Sequence, residues 1–515
     1  MRPTRLGWIA VTIIVVLVGG FVAWRILFPG AVVKPLPFST SCTGLLGRPL
    51  RVGIVTWPGY AGGIVANNGF APNTDSIYYK QYKLCVEFML MEDVDARAKA
   101  FARGGKDGVD VVWSTVDFWA NELPGFLKND VKARAIMQVD WSRGGDAIVA
   151  DTSVQSIEDL YRKKISLALF TPSHWLLEYS LQSSGLEDHK REEIVRSLVG
   201  KNASPDARAD FVAGQVDAAV VWEPDVTEAL RKRPGSHVLV STREARKLIA
   251  DLMVAREDFI RDHPDVIQAF VSGWVAEGTV KANREPQTVA RLLMKNEVLY
   301  KDLGLEVTTR NLATVKWADL ADNTEMFNLD AQDSQPLFDR IFSQASRSWA
   351  ARGYVTVQAT PAAARDDSFL RKIYLAHPVE RIPDRIQPPS LDAGTLPPIA
   401  KRAVTVNFAV RDATLDAAAR RVLDDELSLE SIVFSGATIR VEGNTDSSGN
   451  PDFNRDLSRR RAQAVVDYLV SQHHLSENQF IVIGHGPDKP VASNATVEGR
   501  KMNRRTDVSV VKQGS

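Results

Sequence analysis

The sequence predicts an α/β protein of several domains with one membrane-spanning helix at its N-terminus. Three observations predict this organisation. The 515 residues exceed what one hydrophobic core usually holds, so several domains are expected. An uncharged apolar run opens the chain, and short apolar runs then alternate with helical patterns over two separate stretches.

The N-terminal run Leu6–Trp24 carries no charge, and it lies between Arg5 and Arg25. Its length suits a membrane span, and the leading arginines favour a cytoplasmic N-terminus with the bulk of the chain in the periplasm. A cleavable signal peptide is the alternative, but the run is longer than a usual signal core and no small-x-small cleavage site follows it. We therefore predict an uncleaved, single-pass inner-membrane anchor over residues 1–30, followed by a linker over 31–47.

Composition excludes some functions and leaves others open. Lys+Arg and Asp+Glu balance at 63 each, so nucleic acid is not an expected partner. Cys42 and Cys85 form no CxxC motif and no Cys/His cluster, so no metal site or cofactor is expected. In an exported chain the two cysteines are candidates for a disulfide, and the alternative is a pair of free thiols.

Strands and helices alternate from about residue 50. The predicted strands are Leu50–Val55, Cys85–Leu90, Val109–Trp113, Lys164–Leu169 and Ala218–Val221. The predicted helices between them include Asp93–Ala102, His174–Ser184 and Ala207–Ala213. After about Asp258 strands are expected to stop, and helices are predicted over Pro264–Ala282, Pro286–Lys295, Val307–Trp317 and Asp333–Arg352. This order predicts a bilobal domain over 48–355 whose chain crosses between its lobes more than once.

A proline-rich stretch over 356–400 predicts a semi-extended linker. A second α/β domain is predicted over 401–515. Its predicted strands are Val404–Phe408, Thr438–Glu442, Phe480–Ile483 and Thr506–Val511, with one helix beginning near Thr414 and another over Asn454–Ser471.

The most specific motifs of the chain lie in this last domain. The run VEGNTDSSGNPDFNRDLSRRRAQAVVDYL and the later run GHGPDKPVASNATVEGRKMNRRTDVSVV resemble the OmpA-like peptidoglycan-binding domain over about 403–511. One departure is Asn444, which stands where many members have His. The resemblance implies an OmpA-like α/β sandwich that attaches non-covalently to peptidoglycan through the diaminopimelate of its stem peptide.

Diaminopimelate offers an ammonium and carboxylates, so its site needs an acid and a guanidinium. The resemblance assigns this clamp to Asp446 and Arg461. It also carries over a set of residues that shape the site, namely Thr445, Asn454, Leu457, Ser458, Asn503 and Arg505. The alternative is that Asp446 is only a turn residue and Arg461 a solvated helix residue.

The middle segment, residues 50–353, resembles periplasmic solute-binding proteins of the nitrate/taurine/pyrimidine-precursor class. The motifs that carry the resemblance are Val52-Gly53-Ile54 with Trp57-Pro58-Gly59-Tyr60, Thr171-Pro172-Ser173-His174, and Gly214-Gln215-Val216-Asp217-Ala218-Ala219-Val220 leading to Trp222-Glu223-Pro224-Asp225. The resemblance implies a type II periplasmic-binding-protein fold, a small solute between the lobes and a possible ABC permease as partner.

The solute is expected in the cleft, against loops at the carboxyl ends of strands. The residues expected to bind it are Trp57, Tyr60, Ser114, Thr115, Thr171, Ser173, His174, Trp222 and Glu223. The helix opened by Pro172 would suit a phosphate-like, sulfonate-like or zwitterionic solute at its N-terminus, although plain helix capping needs no ligand. In the same way, Trp57 and Tyr60 either cover a ligand or cap a core, and Glu223 either binds a ligand ammonium or forms a structural salt bridge.

Catalysis is not expected, because no GxSxG, HExxH, P-loop or CxxC pattern occurs. The leading hypothesis is a binding protein that captures a solute and grips the cell wall. The second is a structural tether between membrane and wall with a non-binding middle domain. The third is a ligand sensor that acts through another protein. A cleft without convergent polar groups would favour the tether.

Overall fold

The computed structural model describes residues 42–382 except 106, together with 398–404, 406, 408, 412–426, 438–473 and 475–511. The predicted membrane anchor over 1–30 lies outside the described residues, as does most of the linker after it. Within the described part of the chain, no helix combines the length and the apolar character needed to cross a membrane.

The strands of the middle domain form two sheets. They are β1 (Leu50–Ile54), β2 (Val86–Leu90), β3 (Val111–Thr115), β4 (Ala133–Ser142), β5 (Asp146–Ala150), β6 (Ile165–Ala168), β7 (Val199–Lys201), β8 (Ala218–Trp222), β9 (His237–Ser241), β10 (Ala250–Arg256) and β11 (Val315–Trp317). One sheet has the order β11-β4-β10-β3-β1-β2 and the other the order β7-β6-β8-β5-β9. Each sheet is the centre of one lobe, which confirms the predicted bilobal α/β domain.

Helices flank both sheets. The first lobe and the connections up to β6 carry the helices Ala61–Asn67, Ile77–Tyr82, Val94–Arg103 and Val116–Lys128, with 3₁₀ turns at Pro58–Tyr60 and Glu158–Leu160. The second lobe carries Pro172–Gln182, Asp188–Arg196, Ser204–Val212 and Asp225–Lys232. After β10 come Glu257–Asp262, Pro264–Ser272, a π-helical segment Gly273–Gly278, Thr279–Arg284, Pro286–Asn296, Val298–Leu312, Leu320–Phe327 and Leu337–Ala351.

The chain crosses between the lobes twice, from β4 to β5 and from β9 to β10. The two crossings are tied to each other, since the Ser142 and Thr242 hydroxyls lie 2.6 Å apart and the Thr242 amide donates to the Asp146 carbonyl at 3.0 Å. Short segments between two lobes are where hinge motion can be absorbed.

Two predictions for the region after Asp258 are wrong. The predicted helix Val307–Trp317 ends at Leu312, and its last residues form β11, which pairs antiparallel with β4. The predicted linker is also too long, because the helices Pro361–Ala364 and Ser368–Ala376 lie within it. Phe369 and Leu370 are buried, and Arg365 forms an ion pair with Asp339, so this stretch packs onto the middle domain.

The C-terminal domain contains one sheet with the order β12-β15-β13-β14. Its strands are β12 (Pro398–Val404), β13 (Thr438–Asn444), β14 (Phe480–Gly486) and β15 (Thr506–Val511), and its helices are Ala417–Glu426, Pro451–His473 and Val497–Asn503, with a 3₁₀ turn at Glu477–Gln479. The first strand therefore lies earlier than predicted. Apolar residues of the long helix, among them Val465 and Leu469, are buried, as the helical spacing predicts.

A disulfide joins Cys42 to Cys85 across a Cα–Cα distance of 5.8 Å. It connects the segment before β1 to the residue that precedes β2. The sulfurs lie beside Gly44, whose φ of +54° is the left-handed conformation that glycine adopts without strain. The cross-link thus fixes the start of the first lobe to its sheet.

Candidate functional site

Strand register brings polar groups from both lobes to one edge. In the first lobe Asp251, near the start of β10, lies opposite Thr115 at the end of β3 and opposite Asp140 near the end of β4. In the second lobe Asp146, at the start of β5, lies opposite Trp222 at the end of β8. Because β10 and β5 run antiparallel to these neighbours, their first residues meet the neighbours' last ones.

A narrow cavity lies between the lobes at this edge. Four aromatic rings line it, those of Trp57, Tyr60, Trp113 and Trp222, together with Asp146 and Asp251. Trp113 of the first lobe and Trp222 of the second pack edge to face, with ring centroids 6.3 Å apart. The lobes are therefore closed on the cavity.

The Trp57-Pro58-Gly59-Tyr60 turn positions two of these rings. The Trp57 indole N–H donates to Asp140 Oδ2 at 2.9 Å, and the Tyr60 hydroxyl donates to Asp251 Oδ2 at 2.8 Å. A Cβ at position 59 would lie 1.5 Å from Asp140 Oδ2, so only glycine allows this approach. The sequence Trp-Pro-Gly-Tyr is thus explained by contacts with two carboxylates.

The carboxyl groups around the cavity are unusually buried. Asp117 and Asp140 are 0% exposed, and Asp146 and Asp251 are 2% and 4% exposed. Burial raises the pKa of Asp117 to about 8, against the lowering effect of Thr115. Burial raises the pKa of Asp140 to about 8 and that of Asp146 to about 7, although hydrogen bonds from Trp57 and Ser142 respectively oppose it.

Asp251 is another buried carboxyl with a raised pKa. Its burial, and then the neighbouring Asp140 carboxyl, raise its pKa well above the usual value, and Asp146 and Asp117 add to the effect. Among the residues that the structure describes, none of these carboxylates forms an ion pair with a Lys, Arg or His. The cavity edge therefore concentrates acid without a cation from the described chain.

Several polar atoms here have no hydrogen-bond partner in the described structure. They are both carboxylate oxygens of Asp117, Oδ1 of Asp140 and the indole N–H of Trp113. Buried polar groups are almost always paired with protein, water or ligand. Of the residues that carry these atoms, Trp113 lines the cavity, whereas Asp117 and Asp140 are buried behind its lining.

Not every expected solute-binding residue lies at this cavity. Ser114 is turned away, because its hydroxyl donates to Glu122 Oε2 at 3.0 Å. Thr115 caps the following helix, since its hydroxyl accepts from the Phe118 amide at 3.3 Å. Both therefore have structural contacts, and neither is among the residues that line the cavity.

Thr171 and His174, in the turn that precedes and opens a helix, also contact other parts of the protein. Thr171 precedes the helix, but its hydroxyl donates to the Ala168 carbonyl at 2.7 Å and caps nothing. His174 Nδ1 accepts from the Phe170 amide at 3.2 Å, and its ring packs on Trp349. Burial, and then Arg352, lower the pKa of His174 to about 4. Pro172 lines the cavity, whereas Ser173 is buried with its hydroxyl unpartnered.

Glu223 lies beside the cavity and is held by hydrogen bonds rather than by a salt bridge. It accepts from the Thr227 amide and hydroxyl at 3.1 and 2.9 Å, and from Asn311 Nδ2 at 3.0 Å. Asn311 belongs to a helix that follows the first lobe's last long strand, so this contact joins the lobes. Burial raises the pKa of Glu223 to about 7, and Thr227 opposes the rise.

Four cavity residues escaped the sequence analysis: Val55, Trp113, Asp146 and Asp251. A signal for the two acids exists, because each is a carboxylate placed at the start of an apolar strand, in GGDAIVA and IADLMVA. An acid in such a position is costly to bury without a partner. What the sequence did not provide is the strand register that places the two acids at one edge.

The second site lies in the C-terminal domain around Asp446. Its Oδ2 accepts from Arg504 Nη1 at 2.6 Å, and its Oδ1 accepts from the Ser448 amide at 2.9 Å. Burial opposes ionisation, but the hydrogen bonds from Arg504 and Ser448 outweigh it and hold the pKa of Asp446 below its usual value. The carboxylate is therefore ionised at neutral pH.

The ligand clamp was predicted at Asp446 and Arg461, and the structure places these two charges near each other. Arg461 Nε donates to the Asp412 carbonyl at 3.0 Å, and its guanidinium lies 5.0 Å from the centre of the Phe408 ring. Burial, and then the nearby Arg504, lower the pKa of Arg461, while Asp446 raises it. The three charged groups are thus neighbours, with Arg504 as the direct partner of the acid.

The other residues expected at this site support its loops. Asn454 Nδ2 donates to the Ser448 carbonyl at 2.8 Å, and the Ser458 hydroxyl accepts from the Gly486 amide at 2.9 Å. Arg505 turns back to Asp507 at 3.1 Å. The remaining expected residues, Thr445, Leu457 and Asn503, are buried.

The architecture defines the class of each domain. Two α/β lobes joined by two crossings and closed on a cavity define a bilobal solute-binding domain. Residues 126–294 match the NMT1-like family, and residues 407–504 match the OmpA family. The chain therefore joins an NMT1-like periplasmic-binding-protein domain to a C-terminal OmpA peptidoglycan-binding domain, and both resemblances drawn from the sequence are confirmed. Both are families of binding domains.

Similar proteins of known sequence share only short regions with this chain. Outer membrane porin F of Pseudomonas aeruginosa is 43% identical over 77 residues, which are 15% of this chain and 22% of that protein. Peptidoglycan-binding protein ArfA of Mycobacterium tuberculosis is 40% identical over 74 residues, which are 14% of this chain and 22% of that protein. The activity of these whole proteins does not follow for this chain.

Solved structures align with the larger part of the chain. The periplasmic nitrate-binding protein NrtA of Synechocystis PCC 6803 aligns with a TM-score of 0.50 at 12% identity, over 65% of this chain and 91% of that one. The aliphatic sulphonate binding protein SsuA of Escherichia coli aligns with a TM-score of 0.46 at 16% identity, over 61% and 96%. At such identities the likeness to NrtA shows the fold alone and names no solute.

Proposed function

We propose that this protein is a cell-envelope binding protein with two sites. Its middle domain captures a small solute between the lobes, as a substrate-binding component of ABC import. Its C-terminal domain attaches non-covalently to peptidoglycan through the diaminopimelate of the stem peptide. The N-terminal run over residues 1–30 anchors the chain in the inner membrane, with the bulk of the protein in the periplasm.

The observation that carries the solute-binding function is convergence on one cavity. Aromatic and acidic side chains from four segments of both lobes meet there, around residues 57–60, 113, 146 and 222, with Asp251 as a fifth contribution. A spacer domain has no need for buried polar atoms without partners at its lobe interface. Convergent polar groups in a mostly apolar cleft are what a solute site requires.

The pairing at Asp446 supports attachment to the cell wall. An ionised acid next to two guanidinium groups, those of Arg504 and Arg461, offers complementary charge to a ligand that has both an ammonium and a carboxylate. Diaminopimelate has both. The match of residues 407–504 to the OmpA family supports the same assignment.

A thermal-shift screen tests the solute site. Ligand that binds the native state raises the melting temperature once its concentration exceeds the dissociation constant. We expect a saturating shift from at least one small polar solute, removed by Trp222→Ala and retained in Val298→Ala, an exposed position outside the cavity. A folded protein that responds to no solute would favour the structural tether instead.

Protease accessibility tests the anchor. In spheroplasts, external protease should digest the chain while a tag on the cytoplasmic N-terminus remains bound to the membrane fraction. Release of the whole chain from membranes by osmotic shock would contradict the anchor, and would leave both binding sites in place.

A further inference from the structure

The acidic groups around the cavity favour a cationic solute over the anions that the N-terminus of the helix opened by Pro172 would suit. Asp146 and Asp251 line the cavity, and Asp117 and Asp140 lie close enough to affect the ionisation of Asp251. Once these carboxyls ionise, they would repel an anion in a medium of low dielectric constant. A cation would meet attraction.

The described chain supplies no cation of its own to these carboxylates. Arg97 lies behind Trp113, with its guanidinium 4.9 Å from the ring centre, but its charge is paired with Glu122. Arg208 is paired with Asp225. A buried acid without a partner stays protonated, so a ligand that brings a positive charge would meet acids here that can ionise against it.

Hydrogen bonding restricts the kind of cation that the cavity can bind. Asp117 is fully buried, and neither of its carboxylate oxygens has a partner; Oδ1 of Asp140 has none either. An ionised carboxylate is an acceptor only, so the two acids that line the cavity, Asp146 and Asp251, would take N–H or O–H donors from a bound cation. A quaternary ammonium has no N–H to give, whereas a protonated primary amine has three.

The aromatic walls fit the same kind of ligand. Trp57, Tyr60, Trp113 and Trp222 present ring surfaces to the cavity. A desolvated ammonium held over such rings gains cation–π attraction. The rings also exclude water from the carboxylates, which strengthens their interaction with a bound charge.

A metal ion is the alternative cation. Among the described residues, no three Asp, Glu, His or Cys side chains are placed so that they would hold one metal ion. Two of the carboxylates already accept hydrogen bonds from Trp57 and Tyr60. The geometry therefore favours a molecular cation.

We propose that the inter-lobe cavity binds a small molecule through a protonated amine, held by Asp251 and Asp146 and enclosed by the four aromatic rings. This inference rests on the solute-binding function proposed above and specifies its ligand class. The amine offers N–H donors to the two acids that line the cavity, and the closed lobes place the aromatic rings around it.

Isothermal titration of the whole chain tests the proposal with small probes. The amine probes are methylammonium, butylammonium and putrescine, tetramethylammonium tests the need for N–H donors, and methanesulfonate and nitrate are the anion probes. We expect saturable binding of at least one amine probe. Asp251→Asn and Asp146→Asn keep the shape of the side chain and should weaken that binding at least tenfold.

Asp302→Asn is the matched control, because Asp302 is exposed on a helix away from the cavity. It should leave amine affinity unchanged, and the melting temperature of each variant reports whether it folds. Amine binding that Asp251→Asn and Asp146→Asn both leave unchanged would overturn the proposal. Equal affinity for tetramethylammonium and methylammonium would overturn the role of the N–H donors.

The anion probes distinguish failure of the amine proposal from failure of the solute-binding function. One outcome is that methanesulfonate or nitrate binds, that Trp222→Ala abolishes this binding, and that no amine binds. In that case the amine proposal fails and the solute-binding function stands. If no probe binds and no solute raises the melting temperature, both fail. Binding of an amine with the expected response to the aspartate variants supports both.

Discussion

The two binding regions hold their carboxylates in opposite ways. In the C-terminal domain Asp446 is paired with Arg504, and that pairing holds its pKa below the usual value. In the middle domain Asp117 and Asp140 are buried without a described cation, and burial raises both pKa values to about 8. One site is charged before any ligand arrives, and the other remains largely protonated.

This difference has a physical cause and a functional consequence. Removing a carboxylate from water costs several kcal/mol unless an opposite charge compensates it. Where the chain provides the guanidinium, the site is ready for a ligand that carries both charges. Where it provides none, the site is complete only when the ligand brings the positive charge.

The largest expected effect is a pH dependence of stability that differs between the domains. In the middle domain the folded pKa values of Asp117, Asp140 and Asp146 exceed the unfolded value of 3.8. The native state therefore binds more protons than the unfolded state between about pH 4 and 8, so its free energy of unfolding falls as pH rises through that window. A difference of one between the folded and unfolded pKa of a group corresponds to about 1.4 kcal/mol. The combined loss over these carboxyls should therefore reach several kcal/mol.

Tryptophan fluorescence separates the two domains in this experiment. The chain has 11 tryptophans, and none lies after Trp349. The unfolding midpoint seen by fluorescence should fall from pH 5 to pH 8.5, and Asp140→Asn should flatten the profile. For Asp446 the sign is reversed, since its stabilising effect is present above pH 3.8 and is lost as pH falls through its lower folded pKa. A midpoint that rises with pH in the middle domain would break the comparison.

The next effect is on cell-wall binding. Asp446→Asn removes the charge that pairs with Arg504 and leaves a guanidinium without its partner, so sedimentation with purified sacculi should weaken by about 2 kcal/mol or more. Asp456→Asn is the control, because Asp456 lies exposed on the long helix Pro451–His473 and pairs only with Arg460 in the described structure. Equal binding by wild type and Asp446→Asn would remove this site from the account.

The smallest effect concerns the turn that positions Trp57. Gly59→Ala places a Cβ against Asp140 and the Trp57 indole, so overpacking should cost about 1–3 kcal/mol of middle-domain stability and weaken solute binding. Gly125→Ala is the control, because a Cβ there meets nothing within 4 Å and alanine favours the helix. Gly59→Ala with unchanged stability would show that the turn is looser than the contacts suggest.

The sequence predicted most of the elements that local patterns define. Apolar runs marked the strands that became β1, β2, β3, β6 and β8, and the helix Pro286–Asn296 began where its proline predicted. Strand β11 was missed because its three residues become a strand only by pairing with β4. The helix Ser368–Ala376 was taken for linker because the burial of Leu370 is a tertiary contact that the surrounding prolines obscured.

In the candidate sites, too, residues marked by a local pattern were predicted and residues that depend on strand pairing were missed. Trp57, Tyr60 and Trp222 were predicted because each follows a predicted strand. Asp251 was not, because its role depends on the register that places it opposite Asp140 and Thr115. Arg504 was missed as the partner of Asp446 because the pair is brought together by β13 and β15, which are distant in sequence.

Proton release on ligand binding tests the central claim most directly. Titration of an amine that binds the whole chain, carried out at pH 6.5 in two buffers of different ionisation enthalpy, measures the protons exchanged per molecule bound. Because burial keeps the cavity carboxyls protonated and a bound ammonium favours their ionised form, we predict a net release of protons that declines above pH 8. Proton uptake, or no exchange across this range, would contradict the account of a cavity whose acids ionise to meet a cation.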